Sequence, residues 1–279
     1  MKTGSKSAVS AFLGGDILLF VTALLWGFAF VAQRAGMESV GPFAFNAARY
    51  LVGSIALLPL LVYLRKKGAR VVYSPSAAAP IAGGAWTRGI FPPLIAGVCM
   101  FVGASLQQVG MVTTTAGNAA FITSLYVVLV PLLGMLFGRR PSVLDWVASL
   151  VAVVGLWFIT MHAGFAIAPG DLLELIGAFF WALHILIIGR FASDYDPIKL
   201  SIGQFTVAGF LSFLVSLATE RTSLAGLSAS LVPILYGGVI SCGIAFTLQI
   251  FGQRRAKPSH ASIILALEGL FGAIGGILL

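Results

Sequence analysis

Hydrophobic positions run along this chain in long unbroken stretches rather than in alternation. Nine stretches lie at approximately 14–34, 42–64, 89–111, 115–137, 142–161, 170–190, 197–219, 230–252 and 258–279. Each is close to the roughly 20 residues that carry a helix across a hydrocarbon core of about 30 Å. A membrane β-barrel would instead alternate apolar and polar residues over segments of about ten. A continuous run such as FITSLYVVLVPLLGMLF, residues 121–137, is incompatible with that. The pattern predicts an all-α integral membrane protein, and composition agrees. Of 279 residues, 59% are hydrophobic and 9% charged, against roughly a quarter charged in soluble domains.

The first stretch follows Lys2 and Lys6, as a signal peptide would, but it is too long for an h-region and another span follows at once. It reads as an uncleaved first span. Cys99 and Cys242 both fall inside predicted helices and read as packing residues, with no disulfide framework or metal cluster suggested. The net charge of +8 could suit nucleic acid, but the cations sit in short connections. With the N-terminus inside, the N-terminal arm and the 65–88, 138–141, 190–199 and 253–257 connections hold fourteen of the seventeen Lys and Arg. The other side holds Arg34 and Arg221, and Arg49 lies in neither class. That bias predicts a cytoplasmic N-terminus and makes the basic character topological. No nucleic-acid partner is expected.

The pattern also repeats. GDILLFVTALLW at 15–26 returns as GDLLELIGAFFW at 170–181. At this offset of 155, Gly15, Asp16, Ala23, Trp26 and Pro42 match Gly170, Asp171, Ala178, Trp181 and Pro197. After the long 65–88 loop the offset becomes 140, matching Pro93, Gly97 and Gly103 with Pro233, Gly237 and Gly243. It then becomes 142, aligning Asn118 with His260 and Tyr126 with Glu268. The expected units are residues 1–161, a five-helix repeat, and 162–279, a second repeat. Because five is odd, the second copy starts on the opposite side, the inverted topology common among secondary transporters. Two near-equivalent packings, one open to each side, would expose one site alternately. Phe137 aligns with Leu279, so a counterpart of the fifth helix is missing. The expectation is that the natural protein continues for roughly 25 residues and a tenth span.

Five-span inverted repeats, Gly-Asp plus Trp in the first span of each half, ARY at 48–50 and LALEGLFGAIGGILL at 265–279 together resemble the EamA-type family of the drug/metabolite transporter superfamily. The likeness covers essentially the whole chain, and amino-acid exporters of the YddG type are the members it resembles most. The resemblance implies ten transmembrane helices, two cytoplasmic termini and export of small metabolites. These motifs are structural and leave the substrate open.

Candidate site residues follow from depth. Tryptophan prefers membrane interfaces, where Trp86, Trp146 and Trp157 fall. Trp26 and Trp181 instead lie roughly 15 Å into their helices at 1.5 Å per residue, near the midplane, with Tyr126 and Glu268 at similar depth. An ionisable residue there costs about 2.5–3.5 kcal/mol on insertion scales and usually faces a cavity or partner. Glu268 would meet a substrate amine or carry a proton; a buried acid pinning its helix is the alternative. Gly269, Gly272, Gly275 and Gly276 behind it permit close helix contact. Asn46 and Arg49 share a face at i, i+3, and Ser201 and Gln204 occupy the corresponding places in the second copy. Inversion would put the first pair in the outer third and the second in the inner third, suiting two gates. For Arg49, snorkelling or a bond to backbone carbonyls is the alternative. His184, Gln107, Gln108, Asn118 and Gln249 are weaker candidates, each readable as an interhelical hydrogen-bonding residue.

No H-E-x-x-H, G-x-S-x-G or Walker A run is present, and His162, His184 and His260 are dispersed, so neither a catalytic residue nor a cofactor or metal is expected. A channel fits inverted duplication poorly. A sugar-phosphate carrier would want more intramembrane cations than Arg49, and a polyamine exporter more acids than Glu268. The expected function is a secondary transporter in a bacterial inner membrane that exports aromatic or neutral amino acids, or similar amphipathic metabolites, by alternating access. A multidrug or cationic-metabolite exporter is the runner-up. Trp26, Trp181 and Tyr126 would stack on the substrate. Glu268 would meet its amine or a coupling proton, and Arg49 with Asn46 a carboxylate along the path.

The charge bias predicts that a single cysteine replacing Ser76 is labelled by an impermeant maleimide only after the cytoplasmic side is opened. Labelling from outside in intact cells would reverse the orientation.

Overall fold

Apolar helices account for nearly all of the computed structural model, which describes residues 3–67, 89–162 and 168–278, leaving aside the side chains of 3–13, 156, 157 and 159–162. Most of the 65–88 connection, with Trp86, and the side chains of Lys6, Trp157 and His162 therefore lie outside the described residues. The helices are α1 (Thr3–Gly36), α2 (Pro42–Lys66), α3 (Phe91–Gly110), α4 (Ala116–Thr123), α5 (Tyr126–Leu136), α6 (Val143–His162) and α7 (Pro169–Phe191). They continue with α8 (Pro197–Thr219), α9 (Leu224–Ala229), α10 (Leu231–Leu235), a π-helical segment (Tyr236–Phe246), α11 (Thr247–Gln253), α12 (Pro258–Leu265) and α13 (Leu267–Leu278). Eight spans are long and apolar enough to cross a membrane, counting α4–α5, α10–α11 and α12–α13 as one each. The apolar helix α6 supplies the ninth stretch.

The helix starts are written locally. Pro42, Pro169, Pro197 and Pro258 open α2, α7, α8 and α12, where a missing N–H costs nothing. Asp196 accepts from the amides of Ile198 and Lys199, while the start of α2 is capped from afar. There Glu220, just past α8, accepts from Phe43 N and Ala44 N at 2.9 and 2.8 Å. Two spans are broken at matching positions. Between α4 and α5, at Ser124 and Leu125, the ladder tightens to i→i−3 bonds from Val127 and Val128, and Ser124 Oγ donates back to Ala120 O. Between α12 and α13 the break falls at Ala266.

Packing runs in corresponding pairs. α2 lies along α8; α1 packs on the π segment, α11 and α13; α7 packs on α3 and α5; and α4 crosses α13. Large apolar side chains such as Ile55, Leu150, Val151, Phe210 and Leu217 point outward and are exposed, while Arg49, Gln107, His184, Gln204, Gln249 and Glu268 are buried inside. Hydrocarbon rather than water is the solvent that such a surface fits. At one end, partial burial and then the neighbouring Arg190 guanidinium hold Arg139 below the ordinary arginine value.

Close approach of α2 to the π segment depends on Gly53, where an added methyl would press on Cys242 Cβ and the Gly238 carbonyl. Gly53→Ala is expected to lower the thermal unfolding midpoint in detergent, by an overpacking cost of about 1–3 kcal/mol. Gly117→Ala, where the new methyl meets only ordinary contact, is the control and should leave the midpoint unchanged or higher.

Candidate functional site

Midway along the bundle the inner faces of α1, α2, α3, α4, α5, α7, the π segment, α11 and α13 leave a cavity. Trp26, Arg49, Tyr126, Trp181, His184 and Glu268 line it together. Asn46, Ser201 and Gln204 do not; they stand one layer behind. Asn46 Oδ1 accepts from Arg49 Nε at 3.0 Å while its Nδ2 donates to Ala104 O at 3.1 Å. Gln204 Oε1 pairs with His184 Nε2 at 2.9 Å, and Ser201 Oγ accepts from Thr247 at 3.1 Å. These three position cavity residues or their helices. Of the weaker candidates, Gln107 and Gln249 line the cavity, Gln108 is buried beside it on Gln33 O, and Asn118 sits at the start of α4. Cys99 and Cys242 are buried and unlinked.

Aromatic rings form one wall. Phe246, at the end of the π segment, packs against Trp26 at a centroid distance of 4.5 Å and against Trp181 at 6.0 Å, so one ring joins the two tryptophans. His184 stands edge-on to both Trp181 and Phe246, at 5.8 and 5.9 Å. Each indole is tethered on its partner helix: Trp26 Nε1 donates to Ser241 O at 3.4 Å and Trp181 Nε1 to Gln107 Oε1 at 2.9 Å. Such fixed, partly stacked rings offer a flat face to an apolar ligand group.

The polar wall is charged at two points. Arg49 is buried, its Cζ 4.7 Å from the centroid of Tyr50 and 5.8 Å from that of Phe45, and Nη2 donates to Tyr50 Oη at 3.2 Å. Among the described residues no carboxylate forms an ion pair with it. Glu268 opens α13 just past its break, buried beside Tyr126, which opens α5 just past the matching break. On other residues lining the cavity, Gln33 Oε1, His184 Nδ1 and both amide atoms of Gln249 are buried without a hydrogen-bond partner. Unmet donors and acceptors converging on one space mark a place for a polar ligand or water. Sequence reasoning missed Gln33, Tyr50, Thr123, Ser241 and Phe246, which also line the cavity. For Phe246 no sequence signal exists among 21 phenylalanines.

Known proteins of the same construction place the chain. The model of the EamA-like transporter family matches twice, over residues 13–161 and 168–279. The chain belongs to this family. An EamA-like transporter is a multi-pass integral membrane protein whose partners are the bilayer and a small-molecule substrate. An uncharacterized transporter of Archaeoglobus fulgidus is 31% identical, over 93% of this chain and 76% of its own length. The uncharacterized transporter YdfC of Bacillus subtilis is 27% identical over 86% of this chain and 75% of its own. The uncharacterized inner membrane transporter YedA of Escherichia coli is 24% identical over 88% and 76%. One crystal structure superposes with a TM-score of 0.70 at 18% identity, covering 93% of this chain and 86% of that one. The last likeness bears on fold alone.

Proposed function

We propose that this EamA-family protein exports aromatic or neutral amino acids, or similar small amphipathic metabolites, by alternating access between two inverted repeats, 1–161 and 162–279. The observation that carries the substrate reading is one cavity lined by an arginine that has no acid partner among the described residues, a buried glutamate and a wall of tethered aromatic rings. Arg49 meets the substrate carboxylate, Glu268 its ammonium, and Trp26, Trp181, Tyr126 and Phe246 its side chain. A bidentate guanidinium–carboxylate pair in such surroundings is the strong kind of charge-assisted bond. YddG-type amino-acid exporters are the functional analogy.

The repeat reading is supported by the double family match, the paired helix contacts and the two breaks at 124–125 and 266, an offset of 142 apart. The Arg49 side chain neighbours Gly237, and the Gln204 carbonyl with Val207 neighbours its counterpart Gly97, a matched pair of crossings on which the pairs Asn46–Arg49 and Ser201–Gln204 would serve as two gates. The clustered cations at one end support a cytoplasmic N-terminus in an inner membrane.

Uptake by proteoliposomes preloaded with unlabelled amino acid tests the substrate. Labelled L-tryptophan should enter by exchange and tryptamine, which lacks the carboxylate, should not compete. Arg49→Gln should raise the half-saturating L-tryptophan concentration about tenfold or more, as loss of one charged hydrogen-bond partner does. Exchange of tryptamine in place of L-tryptophan would favour the cationic-metabolite exporter.

A further inference from the structure

A second intramembrane carboxylate, outside the cavity, breaks the likeness between the two halves. Glu174 lies about 8 Å along α7 from Pro169 at 1.5 Å per residue. It is fully buried, accepts from Thr123 Oγ1 at 3.1 Å through Oε2, and leaves Oε1 without a partner. At the offset of 155 its counterpart is Leu19, also fully buried. Their surroundings match. A methyl added to Gly252 would meet Leu19 and the Gly15 carbonyl; one added to Gly110 would meet Glu174 and the Gly170 carbonyl. The same packing niche thus takes a leucine in one half and an acid in the other. Packing alone does not require the acid.

Its neighbours mark a route. One turn earlier on α7, half-buried Asp171 accepts from Thr114 Oγ1 at 2.6 Å and from Ala168 N at 3.1 Å, at the end of the helix. In the other direction Thr123, the donor to Glu174, lines the cavity beside Tyr126 and Glu268. Around Glu174, α3 carries only Cys99, which bonds to Phe180 O lower down, and α5 only Tyr126. His260 on α12 pairs with Asp16 at the other end, α4 and α11 carry no titratable group, and Arg34 of α1 bonds to the Met111 and Thr114 carbonyls. No cation among the described residues forms an ion pair with Glu174.

We propose that Glu174 is a proton-binding site, reached from the Asp171 end of α7 and communicating through Thr123 with the substrate cavity, that couples transport to a proton moving the other way. An uncompensated charge buried there costs several kcal/mol. Burying the carboxylate and taking up one proton from water therefore go together, as do wetting it and releasing that proton. Thr123 closes α4 immediately before the break in the fourth span, so movement of α4 against α7 changes both the exposure of Glu174 and the shape of the cavity. The inference rests on the transporter reading above, with Asp171 on the outer side, but not on the identity of the substrate.

Two measurements on the full chain separate the claims. In lipid, infrared difference spectra taken across a pH step should contain the carbonyl band of a protonated carboxyl group. The band should persist in Glu268→Gln and vanish in both Glu174→Gln and Glu174→Leu, the leucine being the residue that the equivalent niche holds. A spectrum unchanged by either Glu174 substitution overturns the proposal. In proteoliposomes, an inward proton gradient should stimulate L-tryptophan efflux about tenfold, and both variants should lose that stimulation while retaining gradient-free exchange. Equal loss of exchange and of stimulation would make Glu174 structural and overturn the proposal. If no liposome exchanges L-tryptophan, the substrate reading fails and the infrared comparison alone decides Glu174.

Discussion

Hydrocarbon solvates neither backbone nor charge, and that constraint orders everything else in this molecule. Helices meet the backbone half of it, and turning the large polar side chains of the spans inward meets the other half. Large polar groups therefore gather inside: Arg49, Gln107, His184, Gln204, Gln249 and Glu268 are buried where helices meet, and many leucines, valines and phenylalanines face out. In a soluble protein those buried groups would need individual excuses. Here all but Gln204 border one cavity where a polar solute would find partners, and the aromatic wall built on Phe246 bounds it on one side.

Much of this was legible in the chain. Unbroken apolar stretches give the spans because lipid demands length and continuity and little else. The midplane positions of Trp26, Trp181, Tyr126 and Glu268 followed from counting residues at a fixed rise, and these four line one cavity with Arg49 and His184. What could not be read is how helices rotate about their axes. Asn46, Ser201 and Gln204, expected in the outer and inner thirds, point to the layer behind, where Asn46 and Gln204 bond the cavity residues Arg49 and His184. Nor does the glycine-rich run YGGVISCGIAF announce a π-helical segment, since its composition suits an ordinary span. The wider turn leaves the Ser241 and Ala245 carbonyls as acceptors for Trp26 and Thr22 of α1, a registration that only tertiary packing sets.

Duplication directs attention to what the halves share, and shared residues are those that a scaffold needs: glycines at crossings, prolines at helix starts, tryptophans held on the neighbouring helix. Coupling chemistry can differ between the halves, because the gradients set the direction of net transport and one binding site in either half suffices. Arg49 against Gln204, Glu268 against Tyr126 and Glu174 against Leu19 are three such differences, each a charge facing a neutral residue under the proposed inversion.

In the roles proposed for them, these three charges would divide the labour without conflict. Arg49 and Glu268 face one cavity, where a zwitterion would neutralise both and remove the cost of burying either alone. Glu174 stands apart from that cavity and is linked to it through Thr123. A proton taken up there would not compete with an ammonium group for Glu268. Separate acids with a common hinge, the break that follows Thr123, would tie the two occupancies through conformation instead of direct competition.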